Sequence, residues 1–506
     1  MNDQKEIETK SNVINKIKHS LLLLLPKKPV NPVTYSLVIT SVFFIVALFG
    51  MFHHAMWRDE HQAWLIARAS HSIPQLFYNM RYEGHPPIWH ILLYFITCFT
   101  HDPTYMQALH LLIACLFIFV FNRYSTIDIP YKILFSFGYF TLFEYTVISR
   151  IYGLTVLIIF IVCALYKNRY SNYILLGIML ALLADVSIYG VIISIGISGV
   201  LLLDYLISNK KNNNDLKKLI AALFLVIISV AFSLYMIIPD KDNTFLLTYP
   251  KGFFEFERWT NAFSKLFTSY FYIPKTDGMD FWNTNIYYSM NYKLETPLWD
   301  WFHSHQLYLW TLIILPAITF TLSIIIFIRK PLILLLYAGV TTGIISMLYY
   351  TNLLWARYTG FLLIILIVCY WLMNYYPDKT YVNIVLKSLS NFGKKIQTPF
   401  LILVLSTNVV GAAVAYYKST IYEFSSSKNA ADYIHENKLD SLTIACCIDY
   451  TSLALATYLD TKLYYPQMNA YGTFCIWSKD RKNKMIDYEV YSSIVNLMNK
   501  IGRAHV

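Results

Sequence analysis

The sequence predicts an all-α polytopic membrane bundle of about 11 transmembrane helices, with interfacial helices in its first external loop and a small external α/β C-terminal extension. Three observations carry this. The 506 residues are 57% hydrophobic and only 14% charged, with a mean hydropathy of +0.45, too apolar for an ordinary soluble chain. The apolar residues fall in repeated blocks of roughly 17 to 25, the length of helix that crosses hydrocarbon. The basic residues behind the net charge of +11 are not one patch: Lys27, Lys28, Arg123, Lys167, Arg169, Lys210, Lys211, Lys217, Lys218, Arg329, Lys330, Lys387, Lys394 and Lys395 sit in small groups between blocks. That is the pattern of the positive-inside rule, and it excludes a nucleic-acid partner in favour of the lipid bilayer.

Residues 1–33 read as a cytoplasmic segment. Pro26 and its lysines interrupt LLLLL, so the first span is expected to be an uncleaved anchor. Residues 34–417 form the bundle, with spans at 34–52, 104–121, 131–148, 152–166, 172–190, 191–207, 219–238, 306–328, 332–350, 359–375 and 399–417. The apolar stretch 87–99 is short and contains His90; laying it in the outer interface keeps all the basic groups inside. Residues 53–103 then form the first external loop and 239–305 the second. The extension, 418–500, reads helix, strand, helix, strand: Ser425 to Ser427 cap the first helix, LTIACCI is a buried strand and Asp449 caps the next helix. Of the cysteines it carries, Cys475 could bridge Cys446 or Cys447, or all could be buried thiols. The last six residues, 501–506, match the translation of a common sequencing adapter and are left out of the fold reading.

This topology gathers polar residues from distant helix ends on one outward face. In RDEHQAWLIARAS, Asp59 and Glu60 open an amphipathic surface helix, where carboxylates suit the dipole; as a pair they also read as a plain N-cap. In RYEGHPPIWH, Gly84 and two prolines make a turn flanked by Glu83 and His85, a carboxylate and an imidazole on the same loop as Asp59. Asp59, Glu83 and His85 could hold a divalent metal cation, although no strict ligand spacing is present. ISRIYGL and WARYTG each place an Arg with a nearby Tyr at a helix end: Arg150 with Tyr152, and Arg357 with Tyr358. Singly these are headgroup anchors; together they suit a phosphate clamp, since guanidinium offers several donors and keeps its charge. ADVSIYG adds Asp185 and Tyr189, with Asp185 also able to hydrogen-bond between helices.

RDEHQAWLIA with YEGHPPIW, followed by ISRIYGL and ADVSIYG, resembles the GT-C membrane glycosyltransferases, especially bacterial relatives of dolichyl-phosphate-mannose protein mannosyltransferases and lipid A aminoarabinose transferases. The resemblance covers roughly residues 34–360. It implies transfer of a sugar from a polyprenyl-phosphate-linked donor to a glycan, lipid or protein acceptor, by inverting single displacement at the outer face of the bacterial cytoplasmic (inner) membrane. On that analogy Asp59 activates the acceptor with Glu60 beside it, and Arg150, Tyr152 and Arg357 hold the donor phosphate. Glu83, His85, Asp185 and Tyr189 line the acceptor or donor pocket. The acids Asp240 and Asp242 find no role in it. No nucleotide cofactor is expected, because there is neither a Gly-rich phosphate loop nor a P-loop. The rival readings are a transporter or flippase of lipid-linked glycans and a noncatalytic scaffold.

Overall fold

The structure, a computed structural model, describes residues 31–208, 212–244, 250, 252, 254–276, 281–287 and 307–504. The expected N-terminal segment, much of the second long loop and the end of the adapter-like tail lie outside the described residues. The chain is mostly helical with little sheet, and eight of its described helices are long and apolar enough to cross a membrane. It has the architecture of an all-α multi-pass membrane protein.

Helix α1 (Pro32–Phe52) is capped by Asn31, whose side chain accepts from the amides of Val33 and Thr34. Three short helices follow: α2 (Arg58–Arg68), α3 (Ile73–Asn79) and α4 (Ile88–Thr97). At ten residues α4 is too short to span, as its sequence suggests. Gly84, at φ +64°, turns the chain between α3 and α4, in the left-handed region where other side chains are strained. Helix α5 (Thr104–Tyr124) then runs the length of the bundle.

Segment 131–148 departs from the single span expected of it. It forms an eight-residue helix, α6 (Ile129–Ser136), and a π-helical turn, Tyr139–Glu144. The Thr141 hydroxyl donates to the carbonyls of Phe135 and Gly138, competing for the acceptors a continuous helix would use. The expected span 152–166 is matched by α7 (Ile151–Tyr166, 16 residues), whereas 172–190 is shorter than read: α8 is Tyr173–Ala184, 12 residues. The block 172–190 is divided because Ser187 caps a new helix, α9 (Ile188–Ile207), accepting the Gly190 amide at 3.0 Å.

The rest of the bundle comprises α10 (Asn213–Ile237), the amphipathic α11 (Phe256–Tyr270), α12 (Leu307–Phe327), α13 (Pro331–Thr351), the single turn α14 (Ala356–Thr359), α15 (Phe361–Leu372) and α16 (Ile384–Ile421). Every residue of α15 is buried, so it is the bundle's central post. Phe121, Phe135, Phe160 and Trp371 interlock around its far end. Helix α16 is 38 residues long and carries the chain into the extension without a break at 417.

The extension holds α17 (Ser427–Glu436), α18 (Leu453–Tyr458), an antiparallel pair β1 (Leu463–Tyr465) and β2 (Ala470–Gly472), and α19 (Asp487–Ala504). The expected buried strand LTIACCI is corrected: it supplies one parallel bridge, Ala445 to Tyr464, and Cys447 is exposed. Ser425 Oγ does accept the Ser427 amide at 3.3 Å. Asp449 does not act as a simple cap, because Arg481 grips both its oxygens at 2.7 Å, and the Cys475 thiol donates to it at 3.3 Å. Cys446, Cys447 and Cys475 are all free thiols.

Candidate functional site

The site is built where α2 meets the starts of α7 and α14. Trp57 is extended and α2 begins at Arg58; the Glu60 carboxylate reaches back to accept the Trp57 amide at 2.6 Å. Its remaining capacity is also taken, by the Ser149 amide at 2.6 Å and His54 Nε2 at 2.9 Å. Burial alone would raise the Glu60 carboxyl, but His54 and the two amides hold it below the usual range. Glu60 is therefore a permanent carboxylate that fixes the loop. The expected catalytic pair divides into one structural acid and one available acid.

Asp59, one helix position earlier, points the other way. Its Oδ2 accepts from Arg357 at 2.8 Å, while its Oδ1 lies 3.7 Å from Arg58 Nε. The Arg150 guanidinium donates to the Asp59 backbone carbonyl. Burial pushes the Asp59 carboxyl up, but the combined fields of Arg357, Arg150 and Arg58 hold it below the ordinary range. The side chain of Asp59 retains a quarter of its exposure, whereas Arg150 and Arg357 are buried. Three guanidiniums thus surround one carboxylate, and the Nε–H groups of Arg150 and Arg357 have no hydrogen-bond partner. A surplus of buried positive charge with open donors is a receptor for an anion.

Both arginines are held from behind. Arg150 is the residue before α7, in extended conformation, and its carbonyl lies 2.9 Å from one ring nitrogen of His110 while Thr146's lies 2.9 Å from the other. Gly153 permits that approach, since a Cβ there would stand 2.8 Å from His110 Nε2 and 2.7 Å from the Tyr145 carbonyl. The Arg357 carbonyl accepts from the Tyr145 hydroxyl at 3.1 Å, and its guanidinium lies 4.3 Å from the Trp355 ring and 5.1 Å from that of Tyr358. Tyr358 stacks on Tyr189 at 5.9 Å, Tyr189 stacks on Phe361 at 4.8 Å, and Tyr152 meets Tyr358 edge-on at 5.9 Å. The expected Tyr152 and Tyr189 form an aromatic wall behind the clamp.

Glu83 and His85 lie close to this centre. Gln62 donates to Glu83 at 2.7 Å, and burial pushes the Glu83 carboxyl up to about 7. Burial, reinforced by Arg150, holds His85 well below its ordinary value, so its imidazole is neutral. Asp59, Glu83 and His85 do not assemble as a metal-binding trio: no group of three or more His, Cys, Asp or Glu that could hold a metal ion occurs among the described residues. Asp59 is turned toward guanidiniums and Glu83 toward an amide. Asp185 stands apart from the clamp; it accepts from Ser229 at 2.8 Å and Ser233 at 2.5 Å, tying α8 to α10. The two acids left without a role tie the start of the second loop to the first: Asp242 accepts from Tyr82 at 3.0 Å, and Asp240 faces Arg81 at 3.7 Å.

Two residues are added by the structure. Arg58 stands against the open side of Asp59, and Gln62 joins Glu83 to the extension, donating to the Cys475 carbonyl at 2.9 Å and accepting its amide at 2.9 Å. Arg58 and Gln62 are four apart, one face of α2, a spacing that could have drawn attention to both.

No family model matches the chain, and no curated protein or solved structure matches it either.

Proposed function

We propose that the protein is a membrane glycosyltransferase of GT-C type that moves a sugar from a polyprenyl-phosphate-linked donor to an acceptor. The observation that carries this reading is the convergence of two buried guanidiniums with free Nε–H donors on one half-open carboxylate at the ends of apolar helices. A lipid-borne phosphate monoester or diester is the anion a membrane protein would meet at that position.

The chemistry follows from charge. The donor phosphate takes the guanidinium donors of Arg150 and Arg357, displacing Asp59 Oδ2 from Arg357. Losing its nearest cation raises the proton affinity of Asp59 at the moment a base is needed. The acceptor hydroxyl or amine gives its proton to Asp59 as it attacks the anomeric carbon; the bond from that carbon to phosphate oxygen breaks, and configuration inverts. Negative charge grows on the departing polyprenyl phosphate, where the clamp stabilises it. Glu60 and the His110 contact keep the loop and Arg150 in register.

The cations Arg169, Arg329, Lys330 and Lys394 gather around Asp204 and Asp378, joined to one another through Tyr166, Tyr376 and Lys330. Helix α7 separates Arg150, just before its start, from Tyr166 at its end, so this group lies at the other end of the bundle from Asp59. With the positive-inside rule, that supports a site on the outer face of a bacterial cytoplasmic membrane.

The test is transfer of labelled sugar from polyprenyl-phosphate donors by purified wild type and Asp59→Asn, with and without chelator. Donor-dependent transfer lost in Asp59→Asn is the expected result. Folded wild type that turns over no donor yet carries lipid-linked glycan across vesicles would make it a transporter.

A further inference from the structure

The two oxygens of Asp59 face different surroundings. Oδ2 belongs to the arginine clamp; Oδ1 faces Arg58, held only at 3.7 Å, and Arg58 in turn lies among aromatic rings that the clamp does not use. Its guanidinium carbon is 5.1 Å from the Trp57 ring and 4.9 Å from that of Tyr450. On one side Trp57 continues into Trp282, 5.3 Å away, which Phe424 backs at 4.0 Å. On the other, Tyr450 stacks on Trp477 at 6.1 Å and 20°, with Arg481 behind both rings. Trp282, Trp57, Tyr450 and Trp477 come from four different segments, and each is half-buried. The result is a partly open aromatic strip that crosses from the bundle to the extension beside the available oxygen of the base.

We propose that this strip is the acceptor subsite and that its occupant is a carbohydrate chain; the inference rests on the transferase reading. The group that loses its proton to Oδ1 must approach from the side of that oxygen, which is the strip. Flat rings in series suit the C–H faces of successive sugar rings, while the Arg58 fork supplies donors for hydroxyl oxygens. A peptide acceptor fits less well, because the backbone groups beside the strip are already engaged: Gln62 holds both the amide and carbonyl of Cys475, and the Trp477 carbonyl accepts from Thr244 at 2.7 Å. A simple interfacial belt fits less well too, because Arg58 lies within the strip, between Trp57 and Tyr450, rather than at its rim.

The extension is then part of the site and not a separate module. Leu65 of α2 packs with Leu453, Ala456 and Leu463, and Arg68 donates to the carbonyl of Ala456 and pairs with Asp460 at 2.9 Å. The helix that carries Asp59 is thus bolted to the domain that carries Tyr450 and Trp477.

The test places photoreactive benzoylphenylalanine, an aromatic in place of an aromatic, at position 450 or 477 of the full-length protein and irradiates intact producing cells. The expected product is an adduct whose mass collapses on periodate oxidation, absent when the same residue replaces the exposed Tyr433. No adduct, or only lipid or peptide adducts insensitive to periodate, overturns the proposal. In purified enzyme Tyr450→Phe retains transfer, while Tyr450→Ala raises the KM for acceptor at least tenfold with a smaller change in kcat. Carbohydrate adducts from a protein that turns over no donor would leave the subsite standing and sink the transferase; turnover with carbohydrate-free adducts would do the reverse.

Discussion

Two buried ion pairs, one at each end of the bundle, show what separates a structural charge from a working one. Arg169 donates to Asp204 at 2.6 Å, Tyr170 donates to the same carboxylate at 2.9 Å, and both ions are nearly buried. One cation meets one anion and the total is zero. Around Asp59, three guanidiniums meet one carboxylate, two of them buried, and two Nε–H donors are left over. Desolvating a balanced pair is costly but self-limiting, whereas an unbalanced cluster keeps an uncompensated charge that only another anion can settle. Neither burial nor imbalance alone marks a cluster as functional, since Arg329, Lys330 and Lys394 also outnumber Asp378 at the far end; what Asp59 adds is its place between two buried guanidiniums that each keep an unpartnered Nε–H.

The largest effect that could break this contrast is on turnover. Arg357→Gln and Asp59→Asn should each lower transfer by about a thousandfold or more, the scale of losing a charge stabiliser or a general base. Arg357→Gln, which removes one cation of the surplus, should keep the thermal stability of wild type, and its unfolding would mean the cluster is structural after all. The reverse is expected of Arg169→Leu. Leaving Asp204 buried without its partner costs about 3–5 kcal/mol of stability, read by thermal unfolding in detergent, while transfer per folded molecule stays within threefold of wild type.

Gln62→Leu leaves the Cys475 amide and carbonyl unpaired and should weaken the hold of the extension by about 2 kcal/mol, seen as earlier proteolysis of the extension than in wild type. Glu83 sharpens the comparison through pH. Its folded carboxyl sits near 7, above its ordinary 4.5, so the folded state favours the neutral form. That contribution is complete below pH 4.5 and is lost as pH rises through 7; the Glu83 component falls by on the order of 2 kcal/mol across this window, and the profile of Glu83→Gln should differ from that of wild type by that component. Smallest of all, Asp378→Asn at the exposed end, where Lys330 and Lys394 approach to 2.9 and 2.8 Å, should change stability by under about 1 kcal/mol.

Much of this arrangement is legible in the sequence. Long apolar blocks announce the eight long helices, and the brevity of 87–99, after the turn at Gly84 to Pro87, announces an α4 too short to span. Arg150 and Arg357 are legible because ionisable residues at the ends of apolar helices are scarce. What is hidden depends on pairings across distance. Adjacent acids at 59 and 60 look alike on paper, but a helix rotates them by about 100°, and Glu60 is consumed by the nearby Trp57 amide and His54 together with the Ser149 amide, 89 positions on, which the sequence does not show. The break at Gly138 depends on where the Thr141 hydroxyl turns. The extension misleads because LTIACCI has strand composition while Asp449, beside it, is claimed by Arg481, 32 positions away. Gln62 gives no sign of reaching Cys475 across 413 residues.

Helices α7 and α8 have a consequence for the lipid. Sixteen and twelve residues make rods of about 24 and 18 Å, and they join the polar groups at Arg150 and Asp185 to those at Tyr166 and Arg169. Hydrocarbon of about 30 Å is thicker than either. Helix α7 is almost wholly enclosed by protein, but α8 leaves Ile174, Leu175, Ile178 and Leu182 exposed, so the elastic strain of a pinched bilayer falls on the lipids beside α8. Acyl-chain length thereby bears on the protein: short-chain bilayers fit the notch at rest, and long-chain ones resist it.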